Sequence, residues 1–187
     1  MTHQAKWLGL GIAGVLLIVL PLILPTYMSY VLTSMLVFAI FAMSLDVLIG
    51  YLGYVSFGHA AFFAMGSYAL IISALRVQQS FLVNVGIACL CVLGLALVYG
   101  LVALRTSGRP FLMITLALAQ ALWGLTYRWV QLTEGDNGLK GLLRPELPLL
   151  GRLDNHYVFY YFALVIFLLV AGTIFVLTRS PLGLSWQ

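Results

Sequence analysis

The chain has 187 residues, 63% of them hydrophobic and only 7% charged, with a mean hydropathy of +1.10. A soluble domain carries about 25% charged residues, so the solvent for most of this chain is lipid, and it reads as an integral membrane protein. The net charge of +4 does not point to nucleic acid, because Lys and Arg stand singly at the ends of apolar runs, as membrane helices place them.

After a short polar start, Trp7 to Leu24 is an apolar run near the minimum length for a tilted span. It ends in Leu24-Pro25-Thr26 without a small-x-small cleavage site, so it reads as an uncleaved first helix. Tyr30 to Ile49 is the second span, with Asp46 near its end. The stretch from Asp46 to Ala69 then reads DVLIGYLGYVSFGHAAFFAMGSYA. Its glycines (50, 53, 58 and 66) weaken the helix, while Ser56 and His59 bring hydrogen-bonding groups to membrane depth. Irregular backbone at that depth survives only against protein or a water-filled cavity. Residues 50–58 are therefore expected to break the helix close to a transport path. Gly58 to Leu75 is the third span, and its Ala60, Ala64 and Ser67 share a face suited to tight helix packing.

A polar turn, Arg76 to Ser80, leads to the fourth span, Phe81 to Leu104. Cys89 and Cys91 are two apart on that helix and cannot face each other, which argues against a disulfide or a shared metal. Arg105 to Pro110 is a basic turn. In the fifth span, Phe111 to Trp129, residues Ala117, Gln120, Ala121, Gly124 and Arg128 recur at spacings of three and four. Leu116, Leu118 and Leu122 lie off this small and polar stripe, which is expected to face other helices or a cavity. Arg128 is expected to anchor at the interface. Gln131 to His156 is the long polar segment and holds most of the acids. Tyr157 to Leu177 is the sixth span, opened by aromatic residues suited to the headgroup level.

The fold class is thus all-α: a polytopic transmembrane bundle of about six spans, one domain over residues 1–187. Six spans place both termini on one side, and the short basic flanks lean towards the cytoplasm.

Asp46, Ser56 and His59 admit three readings. They are an intramembrane hydrolase triad, hydrogen-bonding groups for broken-helix backbone, or lining of a solute path. A triad needs its third member held against the base, and nothing fixes Asp46 near His59 across the glycines. Asp46 itself suits the interface or a neighbouring helix. The sequence has no zinc-spaced His/Cys set and no phosphate-cradling glycine loop, so any ATP that powers this chain binds another subunit.

Two blocks resemble a known family. GYLGYVSFGHAAFFAMGSYA, residues 50–69, resembles the glycine-serine-glycine-histidine signature of branched-chain amino acid ABC importer permeases. LRTSGRPFLMITLALAQALWGLTYRWVQLTEGDNGLKGL, residues 104–142, is similar to the following block of those permeases, in which a basic turn leads to an ITLA-type helix and an extracytoplasmic TGG-x-x-GL loop. TRSPLG, residues 178–183, resembles their turn into the cytoplasmic coupling loop. The resemblance implies a subunit of a bacterial inner-membrane importer, with its N-terminus cytoplasmic. Its partners would be a second permease subunit, two cytoplasmic ATPase subunits that hydrolyse the ATP, and a periplasmic amino-acid-binding protein. No cofactor, metal or nucleic acid is implied for this chain.

Related permeases carry urea, short amides or other amino acids, so the solute stays open. By the family pattern, Ser56, Gly58, His59, Thr115, Gln120 and Gly124 lie nearest the substrate path. Glu134, Gly135, Asp136, Asn137 and Gly138 would face the binding protein. Family chains continue past the SPLG turn through a coupling loop and further spans, so the sequence ending at Gln187 is expected to be a fragment or a truncated product.

Overall fold

A computed structural model describes residues 14–77, 80–106, 108–140, 146–147, 151–152 and 155–184. Helix α1 is described over Gly14–Ile23, and the expected start of the first span at Trp7 lies outside the described residues. The chain continues with α2 (Thr26–Asp46), α3 (His59–Arg76), α4 (Phe81–Ala103), α5 (Arg109–Arg128), the short α6 (Val130–Thr133), α7 (His156–Arg179) and the short α8 (Pro181–Leu184). Five of these, α2, α3, α4, α5 and α7, are long and apolar enough to cross a membrane. Their bounds follow the apolar runs closely, because each run is as long as a bilayer is thick. One difference from the helical expectation is small. In the polar segment after α6, Glu146–Leu147 and Gly151–Arg152 pair as a two-residue antiparallel ladder.

Apolar side chains point outwards. Leu90, Leu93, Leu97 and Leu101, spaced along one side of α4, are each at least 60% exposed. In water such a row would be untenable; in lipid it is the helix's outer face.

The helices form two packed groups. In the first, α2 lies along α7 and α1 closes over them. Leu36 of α2 packs with Tyr160, Ala163 and Leu164 of α7, and Leu17 of α1 joins this core. Pro21 stands inside α1 and has no N–H to offer the carbonyl of Leu17, four residues earlier. The Tyr160 hydroxyl, on a fully buried ring, donates to that carbonyl at 2.8 Å. Tyr161 donates to the next one, Ile18 O, at 3.0 Å. A backbone defect made by proline is therefore repaired by a tyrosine 139 positions further along the chain, as lipid demands of every backbone polar group.

In the second group α3 lies along α4. Small residues allow the approach: a Cβ on Gly66 would sit 3.4 Å from Val92, and Ala61, Ala88 and Ala103 are buried. Phe62 and Tyr99 meet edge to face across the seam, 5.3 Å between centroids. Cys89 and Cys91 are both free thiols. Helix α5 is held more loosely, with only Phe111 and Thr115 buried. Tyr99 of α4 donates to Leu118 O at 2.6 Å. At the far end, Arg76 of α3 donates to Gln131 O just beyond α5, also at 2.6 Å. The two groups meet where Phe38 and Phe41 of α2 touch Phe63 of α3.

Candidate functional site

Helix α2 does not stop cleanly. Its last turn widens into a π-helix, Val47–Tyr51, with Leu52 N bonded to Val47 O at 3.3 Å and Tyr54 N to Leu48 O at 3.1 Å. Such turns recur at functional sites because they sacrifice regular bonding. Gly53 then takes φ +69, and residues 52–58 run without helix until α3 begins at His59. The break expected at residues 50–58 is present.

The break is pinned on both sides. Towards α5, Phe57 N donates to Thr115 Oγ1 at 3.3 Å. Gly58 packs so closely there that a Cβ would lie 3.0 Å from Thr115 O. Thr115, 4% exposed, also donates its hydroxyl to Leu112 O at 3.0 Å. Ser56 Oγ turns back to accept from Gly58 N at 3.2 Å. Towards α2, His59 Nε2 lies 2.7 Å from Ser44 Oγ. The Ser44 proton goes to Phe41 O at 2.8 Å, so the imidazole N–H is the donor in that pair. Phe41 also meets the imidazole ring, 5.0 Å between centroids.

These contacts separate the residues that the triad reading joined. His59 pairs with Ser44 rather than Ser56, and Asp46 is exposed at the end of α2, its carboxylate beside Gly50. No group of three or more metal-binding side chains occurs among the described residues.

Between the pinned break and the Arg76–Gln131 bond, α3 and α5 stand apart. A cavity of about 700 Å³ fills the gap. Phe57 lies at one end; Ala60, Ala64 and Tyr68 line one wall, Leu116, Gln120 and Trp123 the other. Gly135, Asp136 and Gly138 border its far end. Trp123 and Tyr127 stack at 5.5 Å along the α5 wall. Of the small face of α3 expected to pack a neighbour, Ala60 and Ala64 border this space. Gln120 also borders a second, open hollow of about 750 Å³ along α5, where Gly124 and Arg128 join it.

The loop at that end is built tightly. Thr133, 5% exposed, places its hydroxyl 2.6 Å from Thr126 O and 2.9 Å from Trp129 O. Glu134 adopts a left-handed conformation at φ 59, and Gly135 follows at φ 56. A Cβ on Gly135 would sit 3.0 Å from Tyr127 O. Only glycine combines that φ with so close an approach.

A family model described as branched-chain amino acid transport system / permease component matches residues 27–187. The chain belongs to this permease family. It is 26% identical over 177 residues to the high-affinity branched-chain amino acid transport system permease protein LivM of Escherichia coli (strain K12), an alignment covering 83% of this chain. The same alignment covers 42% of that relative, so the chain spans less than half its length. No solved structure matches.

The family is one of transport permeases, not enzymes, and the hydrolase reading of Ser56 and His59 is set aside. Sequence reasoning passed over five residues at the site. Ser44 looks like any hydroxyl inside a helix until α3 is placed beside it. Thr133 gave no signal beyond its place before the acidic loop. Tyr68, Trp123 and Tyr127 read as ordinary span aromatics, although Trp123 and Tyr127 are four apart and so share a face.

Proposed function

We propose that this permease forms part of the route by which branched-chain or related amino acids cross the bacterial inner membrane, as one subunit of an ATP-binding-cassette importer. Residues 1–187 act as a single transmembrane domain with a cytoplasmic N-terminus. The chain binds no cofactor. Two cytoplasmic ATPase subunits hydrolyse the ATP, a second permease subunit completes the path, and a periplasmic amino-acid-binding protein delivers the solute.

The observation that carries this reading is the cavity between α3 and α5 in a chain of this family. Its volume falls in the roughly 300–1,000 Å³ range of small-molecule sites. Its lining is the expected mixture: aliphatic and aromatic wall with a few polar groups, Tyr68, Gln120 and Thr126 among them. Gln120 lies on this wall, while Ser56, Gly58, His59 and Thr115 hold the break, of which Phe57 borders the cavity. Gly135, Asp136 and Gly138 lie on its rim, and the loop Glu134 to Gly138 faces the binding protein. The chain supplies shape and a few polar contacts, and the energy arrives through partners that bias two arrangements of the bundle.

The test is uptake of radiolabelled leucine by cells carrying the intact importer. Gly58→Leu drives a side chain into Thr115 and collapses the base of the route, and uptake is expected to fall at least tenfold at unchanged membrane abundance. Uptake at the unmodified rate overturns the assignment. Competition by isoleucine and valine but not by urea or acetamide assigns the solute to branched-chain amino acids; the reverse pattern makes this a short-amide permease.

A further inference from the structure

The rim of the cavity carries one feature that delivery by a binding protein does not call for. Asp136 lines the cavity as well as belonging to the outer loop. Among the described residues of that lining it is the carboxylate, and none of them is Lys or Arg. Its place is enforced by backbone. Thr133 ties the loop to α5 through Thr126 O and Trp129 O, Asn137 N closes a turn onto Glu134 O at 3.2 Å, and Gly135 brings the chain against Tyr127 O. A loop needed only as an outer docking surface does not require its acid at the mouth of a cavity walled by Leu116, Trp123 and Tyr127.

We infer that Asp136 recognises the solute's α-ammonium group as it enters the cavity, and that it makes the site selective for ammonium-bearing solutes over their deaminated analogues. A carboxylate at the mouth of a low-dielectric cleft focuses its field inwards and attracts cationic groups. An ammonium–carboxylate hydrogen bond is stronger than its neutral counterparts. The aliphatic side chain then meets the apolar wall, and the Gln120 amide and Tyr127 hydroxyl offer donors to the solute carboxylate. The inference rests on the cavity being the solute route.

The test is equilibrium dialysis of radiolabelled leucine against the full chain in lipid nanodiscs. The competitors are isoamylamine, which keeps the ammonium and loses the carboxylate, and 4-methylpentanoate, which keeps the carboxylate and loses the ammonium. Isoamylamine is expected to compete better than 4-methylpentanoate. Asp136→Asn is expected to weaken leucine and isoamylamine by roughly fivefold, the scale of one partly exposed charge pair, and to leave 4-methylpentanoate unchanged or improved. Asp136→Glu is expected to retain the preference. Equal weakening of all three ligands by Asp136→Asn overturns the inference and leaves the cavity as the route, with Asp136 only shaping its rim. Binding of none of them to the unmodified chain overturns both.

Discussion

Replacing Tyr160 by Phe removes one hydroxyl and leaves the ring in a fully buried site. The partner it abandons is Leu17 O, which α1 cannot satisfy because Pro21 has no N–H and its ring pushes that carbonyl aside. In lipid no water takes its place, so the variant carries an unsatisfied acceptor at a cost of about 1–3 kcal/mol. For a chain of this size that is about 2–4 °C of thermal midpoint per kcal/mol. The informative experiment is a cycle with Pro21→Ala. Alanine restores the N–H to position 21, and Leu17 O regains its helical donor. In that background Tyr160→Phe is expected to cost only the roughly 0.5–1.5 kcal/mol of an ordinary hydrogen bond. The coupling is therefore about 0.5–1.5 kcal/mol, within the usual range for residues sharing a partner. Thermal unfolding of the four purified proteins in one detergent measures it. An identical loss from Tyr160→Phe in both backgrounds refutes the repair of α1 by α7.

Gly58→Ala has a permitted backbone at φ −81, so its whole effect is the 3.0 Å approach of Cβ to Thr115 O. An overpacking cost of about 1–3 kcal/mol is expected, seen as a lowered thermal midpoint, whereas Gly53→Ala meets no atom and is penalised only through its φ of +69. Ser44→Ala leaves the His59 N–H without its acceptor and is expected to cost about 1–3 kcal/mol, while Ser56→Ala, whose hydroxyl serves only the local turn to Gly58 N, costs about 1 kcal/mol or less; the reverse order in a melting experiment argues against the Ser44–His59 pair.

Much of this architecture is legible along the chain. Span lengths and the helix break are local properties. An apolar run of bilayer length has few other stable outcomes, and glycines near positions 50, 53 and 58 weaken the helix wherever they fall. The family blocks at residues 50–69 and 104–142 are equally local. Which surface each helix presents to which neighbour is not local. Helical periodicity marks Ala117, Gln120 and Gly124 as one face of α5, yet Leu116 and Leu122, off that stripe, border the cavity beside α3. The spacing of Ser56 and His59 suggests a pair, yet the bundle sets His59 against Ser44 on the preceding helix.

Sequence alone determined that this chain lives in lipid and where its backbone yields. The tertiary structure decided what the yielding segment leans on, which proline is rescued by which tyrosine, and where empty space remains. The physical reason is that burying backbone in lipid is a demand each segment meets by itself. The partners of side chains many residues apart are chosen only when whole helices settle against one another.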